Sequence, residues 1–293
     1  MKHEIRYGKA EISVYRAYAR PLQAVPRIPE SSFTGRPNTL LAAEVTIDVY
    51  GDNFLPAYTE GDNSNVVATD TMKNFTYAMA LEYTGSTQEG FAAYLARMFS
   101  SHYPQMKRIR IRSRELVFSD HSAKLLSPSF NDHGFIDLEM EGEVLQSFSA
   151  GRHDLRLVKL TGSSFASFAR DQYTTLPERP DRPLYIHLDV DWRYRDPGPA
   201  LADLPSGYVP SEQVADLVRA TFDEFVSLSI QHLVNEMGRR LLDRFPALAE
   251  VSFDAQNRLW DTSAEGEGDS ARVRVYSNPK PAHGSIGLRL RRD

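Results

Sequence analysis

The segment Leu40–Tyr50, LLAAEVTIDVY, alternates Val45, Ile47 and Val49 with Glu44, Thr46 and Asp48. A period of two sends one set of side chains to a buried face and the other to water, which predicts a half-buried strand over 40–50. The same signature opens the chain at 5–17. It returns in MKRIRIRSRELVF, where Ile109 and Ile111 oppose Arg108, Arg110 and Arg112, and again in FIDLEMEGE. Between them lie two helical patterns. The first runs from about Thr71 to Tyr83, with Met72, Phe75 and Met79 at helical spacing. The second opens on the capping box Ser86-Thr87-Gln88-Glu89, carries Phe91, Leu95, Met98 and Phe99, and is closed by Pro104. The first half therefore reads strand, strand, helix, helix, strand, strand.

From near Ser147 the coarse order repeats without the sequence repeating. DLRLVKL and LYIHLDVDWRY are extended, with a polar segment between them. After Pro210 the spacing predicts one long helix, capped by Ser211, carrying Val214, Leu217, Val218, Phe222 and Phe225 on one side, and stopped by Pro246. LAEVSFDAQ, ARVRVYS and GSIGLRLRR read as closing strands, with an acidic, glycine-containing loop at 261–270. Strands and helices in this order favour an α+β fold with antiparallel sheets over alternating βαβ units. Two pseudo-equivalent domains are expected, 1–144 and 145–293.

Composition narrows the chemistry. With 293 residues, 41% hydrophobic and 25% charged, the chain is expected to be a soluble globular protein with no bilayer-spanning run. The N-terminal stretch lacks the continuous apolar segment of a signal peptide, so a cytoplasmic location is expected. There is no cysteine, which removes disulfides, thiolate nucleophiles, iron–sulfur clusters and Cys-ligated zinc. A net charge of −5 argues against broad nucleic-acid affinity, and the row Arg108, Arg110, Arg112 is read as a solvated strand face rather than a phosphate track. His187, Asp189 and Asp191 share a strand face and could ligate a metal. Ile186, Leu188, Val190 and Trp192 on the other face make it equally an ordinary half-buried strand, and no metal is expected. No phosphate-binding loop, dinucleotide fingerprint or nucleophile elbow is present.

Two stretches stand out. In NVVATDTMKN, residues 65–74, Thr69, Asp70 and Thr71 sit where an apolar extended run gives way to a helical pattern, as helix N-caps do. In FASFARDQYTTLPERPDR, residues 165–182, Arg182 can make a planar double contact to an anion or a heterocycle while Phe165 supplies a stacking face. The plain alternative is a surface ion pair between Asp181 and Arg182, with Phe165 in the core.

Together, RYGKAEISVYR near the start, GDNSNVVATDTMKN at 61–74 and SFASFARDQYTTLPERPDR at 164–182 resemble the urate oxidases, or uricases, in order and spacing. The resemblance extends to Ile230-Gln231 and to Gln256-Asn257. It implies two tandem T-fold domains, each an antiparallel sheet backed by helices, assembling into a homotetrameric barrel around a tunnel. It implies oxidation of urate by O2 to 5-hydroxyisourate and hydrogen peroxide, without metal or other cofactor, in purine breakdown. Carried over residue by residue, Lys9 and Thr69 are the catalytic pair. Asp70, Phe165, Arg182, Ile230, Gln231 and Asn257 bind substrate, at sites shared between subunits. Ile230 replaces the family's usual valine. One position departs further: Leu259 stands two residues after Asn257, where uricases commonly carry a histidine that extends the proton relay, and it cannot donate, accept or titrate. Strand alternation would put its side chain on Asn257's face. The rival expectations are a non-catalytic purine-binding T-fold tetramer, or a T-fold enzyme acting on a pterin or modified purine.

Overall fold

The computed structural model describes residues 3–122, 124–260, 262–268, 273–279 and 281–292. Eight strands form one sheet: β1 (Arg6–Ala17), β2 (Leu40–Tyr50), β3 (Arg108–Glu115), β6 (His133–Glu141), β7 (Val144–Lys159), β8 (Leu184–Tyr194), β9 (Leu248–Asn257) and β12 (Gly284–Arg291). They are hydrogen-bonded in that order, with every neighbouring pair antiparallel. Helices α2 (Thr69–Glu82) and α3 (Gln88–His102) follow β2, and α4 (Ser211–Glu224) and α5 (Ile230–Arg244) follow β8. A five-residue helix, α1 (Leu55–Thr59), precedes α2. Each half thus runs strand, strand, helix, helix, strand, strand. Each is also interrupted by a small hairpin at the corresponding place: β4 (Phe118–Asp120) with β5 (Leu126–Pro128), and β10 (Thr262–Glu265) with β11 (Arg274–Tyr276).

All four long helices pack on one face of the sheet. The alternation of β2 and β3 buries Val45, Ile47, Val49, Ile109 and Ile111 there against Met72, Leu95 and Phe99. In the second half Ile186, Leu188, Val190, Trp192, Val251 and Phe253 meet Val214, Val218, Leu233 and Met237. Each such side chain contributes roughly 1.5–3 kcal/mol on burial, so the shared core joins both halves.

The other face is polar, and the arginine row lies on it. Arg108 pairs with Glu139 at 2.7 Å, Arg110 with Asp137 at 2.7 Å, Arg112 with Asp48 at 2.8 Å and Arg114 with Glu44 at 3.4 Å. Every partner comes from an adjacent strand. Such pairs contribute only about 0–1 kcal/mol each, but they neutralise the row, as a solvated strand face requires.

Several boundaries differ from those expected. The single helix over 211–246 is two helices, broken at 225–229, where Ser229 caps α5 by accepting the His232 N–H at 3.1 Å. The apolar spacing runs through the break and hides it; α4 ends at Glu224, and Ser229 restarts the helix as the cap of α5. Ser211 is the first residue of α4 rather than its cap, and its hydroxyl accepts from Arg152 at 3.3 Å. α3 is capped by Thr87, which accepts from Gly90 N–H at 3.2 Å; the cap sits one residue later than read, and Gly90 in the third helical position has no side chain to complete a box. α2 starts two residues early, at Thr69, after Ala68. Part of the expected acidic loop is strand β10. Asp261, Asp269 and Ser270 of that loop, and Ala271 and Arg272 of the strand read after it, lie outside the described residues.

Candidate functional site

The eight expected site residues fall into two groups toward opposite ends of the sheet. Lys9, Thr69 and Asp70 form the first. Lys9 lies on edge strand β1 opposite Ile47, on the helix-covered face. A bulge follows at once, with Ala10 and Glu11 opposite one residue of β2 and Glu11 at φ 57. The extra residue lets Lys9 and Ile12, three apart, share that face. Gly8 permits the approach, since a Cβ there would sit 1.8 Å from the Ile47 carbonyl oxygen. Tyr7, one step along the same face, accepts the Val67 N–H through its hydroxyl at 3.2 Å and so holds the segment leading into Thr69. Burial pushes the Tyr7 phenol up from its usual value, against the smaller effect of the Val67 bond.

No side chain caps α2, so the reading of Thr69 and Asp70 as N-caps is corrected. Both are helical residues of the first turn, where backbone N–H groups have no partner within the helix and an anion is favoured. Lys73 and Asn74 both turn back on Asp70, at 2.5 Å and 3.1 Å. Lys73 holds its carboxyl below the usual range, with Lys9 adding a smaller pull.

Phe165, Arg182, Ile230, Gln231 and Asn257 form the second group. Arg182 precedes β8, and its N–H donates to the Ser163 carbonyl at 2.8 Å. Phe165 exchanges two backbone hydrogen bonds with Arg179, at 2.9 and 3.0 Å. The Arg182 guanidinium lies over the Phe165 ring, 5.3 Å from its centroid, and Phe168 stacks parallel to that ring at 4.9 Å. Ile230 and Gln231 open α5; the first is buried and the second exposed. Asn257 ends β9 opposite Ile186 of β8, again on the helix-covered face.

Asp181 does not pair with Arg182. Its carboxylate accepts from the Thr161 hydroxyl at 2.6 Å and the Gly162 N–H at 2.7 Å, which hold its pKa down, the Thr161 bond most. Arg182 is left without a carboxylate among the described residues, and burial pulls its pKa below the usual value. Its Nε and the Oδ1 of Asn257 are buried with no hydrogen-bond partner. Arg36 and Arg152, more deeply enclosed, are each held by two carboxylates. A half-buried guanidinium with a buried, unpartnered Nε, set over an aromatic ring, is an arrangement that can receive a planar anion.

Leu259 lies beyond the end of β9, so strand alternation does not set its direction and the expectation that it shares Asn257's face does not apply. His187, Asp189 and Asp191 go to separate partners: the Tyr185 hydroxyl, the Asp154 N–H and His153. Among the described residues no group of three or more His, Asp or Glu side chains is gathered to hold a metal. No described helix is long and apolar enough to cross a membrane.

The uricase family profile matches residues 5–141 and 148–286. The chain is 42% identical over 292 residues to a uricase of Haloferax volcanii, covering 94% of this chain and 95% of that one. It is 41% identical to the uric acid degradation bifunctional protein PucL of Bacillus subtilis, covering 97% of this chain and 60% of that longer one. The crystal structure of urate oxidase from Bacillus sp. TB-90 superposes with a TM-score of 0.94 at 37% identity, covering 98% of this chain and all of that one. That of a Bacillus fastidious uricase gives 0.95 at 37% identity, covering 99% and 94%. The strand-helix-strand repeat is the tandem T-fold, and on both halves of its length the chain belongs to the uricase family.

Proposed function

We propose that this chain oxidises urate with O2, giving 5-hydroxyisourate and hydrogen peroxide with consumption of one water, in purine degradation. The observation that carries the reading is Arg182: a half-buried guanidinium with no carboxylate partner among the described residues, a buried and orphaned Nε, and Phe165 beneath it. Urate is a planar anion. It meets Arg182 and Gln231 edge-on and takes the guanidinium's place over the Phe165 ring. Lys9 acts as general base through the Thr69 hydroxyl, and the doubly deprotonated ring then transfers electrons directly to O2 held near Asn257. Asp70, tied to Lys73, anchors the first turn of α2 beside the substrate. Ile230 bounds the ring's edge.

The two groups lie on β1 and β9, six strand spacings apart, which is on the order of 30 Å along the sheet. A complete site therefore needs a second copy of the chain. The free edges of β1 and β12 support closure of copies into a tetrameric barrel, with 1–144 and 145–293 as its repeating domains. A cytoplasmic setting belongs to the same reading.

Metal-stripped protein should consume urate and O2 in equal amounts and release equal peroxide. Protein that binds xanthine, urate without its C8 oxygen, yet consumes neither urate nor O2 would instead be a purine-binding protein.

A further inference from the structure

We propose that Lys159 is a positioning residue for the substrate-binding half of the site, an inference that rests on the urate reading. Lys159 is the last residue of β7. Its ammonium donates to three main-chain carbonyls at the end of α4, those of Phe222, Asp223 and Phe225, each at 3.0 Å. All three N–H groups are used, on carbonyls that a helix end leaves without partners and where a cation is favoured. The stem passes under Gly162, at φ 78, where a Cβ would come within 2.9 Å of the lysine Cε.

What this contact fixes is the five-residue turn leading to Ile230 and Gln231. Ser227, in the middle of that turn, donates to the Gly162 carbonyl at 3.3 Å, and its own carbonyl accepts from Ser164 at 2.8 Å. The hydroxyls of Ser227 and Ser163 lie 3.3 Å apart. Ser163 accepts from the Arg182 N–H, and Phe165 follows two residues later. The segments carrying Phe165, Arg182 and Ile230-Gln231 are thus laced to one another by short backbone bonds, and Lys159 fastens the lacing to the sheet. Two of these segments are loops with no sheet ladder of their own, so the spacing between stacking ring, guanidinium and amide depends on that ammonium.

Lys159→Met should raise KM for urate and Kd for xanthine about tenfold while kcat stays within about threefold, because anchoring is loosened and the proton-removing group on the other edge is untouched. Amide exchange should quicken over 225–231 and stay unchanged over 69–74. Lys159→Arg, which keeps a cation with several donors, should recover most of the loss. If Lys159→Met does not fold, Lys159→Gln compared with Lys159→Arg gives the same contrast in smaller measure. Unchanged KM and Kd in an active protein, or a kcat loss equal to the KM rise, overturns the inference and leaves the urate reading standing. A wild-type protein that neither binds xanthine nor consumes urate overturns that reading instead, and the exchange contrast between 225–231 and 69–74 then decides whether Lys159 holds the turn.

Discussion

The two groups of site residues are built in different ways. Lys9 and Thr69 stand on a strand and on the first turn of a helix, and the exposed carboxylate beside them, Asp70, is bonded locally by Lys73 and Asn74. Phe165 and Arg182 stand on loops, and the group they join leaves two buried polar atoms unsatisfied, Arg182 Nε and Asn257 Oδ1. A buried donor left without a partner on a half-buried cation costs folding energy that an anionic ligand can return on binding. Under the proposed function, affinity belongs to the Arg182 side and proton transfer to the Lys9 side.

Substitutions on the two sides should therefore fail differently. Lys9→Met should lower kcat by roughly 10²–10⁴-fold, the contribution usual for a positioned acid–base group, while xanthine binds almost as before. Steady-state kinetics beside calorimetry separate the two effects, and a mutant turning over at near the parent rate would remove Lys9 from the chemistry. Arg182→Ala should weaken xanthine binding by roughly 2–5 kcal/mol, since an anion would be left without its charged partner. Equal affinity in calorimetry would break the comparison on its binding side.

Leu259→His is the smallest effect expected. Without an imidazole, a proton leaving Thr69 passes to water or back to Lys9. A histidine with an unperturbed pKa of about 6.5 can carry protons around neutrality, so the variant should be a few-fold faster at pH 7, with its rate profile moved toward acid. Because Leu259 lies past the end of β9, its direction is set by the chain after the strand. A rate unchanged or reduced at every pH, with the fold intact, would show that this protein needs no histidine there.

The strands were legible because burial on one face imposes a period of two: the span read from LLAAEVTIDVY is β2 from end to end. The break at 225–229 was not, because Phe222, Phe225, Ile230 and Leu233 keep an apolar rhythm across it, while Ser229 restarts the helix through a local bond and Ser227 bonds to Gly162 and Ser164, more than sixty residues away. The motifs led to Lys9, Thr69 and Arg182 through their likeness to a family. Tyr7 and Lys159 escaped notice because their partners are main-chain atoms some sixty residues away, which no local pattern records. Asp181 was visible but its partner was not: adjacency to Arg182 suggested a pair, whereas its carboxylate turns to Thr161 and Gly162.

If one chain holds only half of each site, co-assembly of two inactive variants should restore activity. Lys9→Met and Arg182→Ala chains, differently tagged and refolded together, form some interfaces that join an intact Arg182 side to an intact Lys9 side. Random mixing in a symmetric assembly should restore on the order of a quarter of the wild-type rate per chain. Mixed assemblies that form, as shown by tandem purification on both tags, yet remain as inactive as either parent would contradict the account.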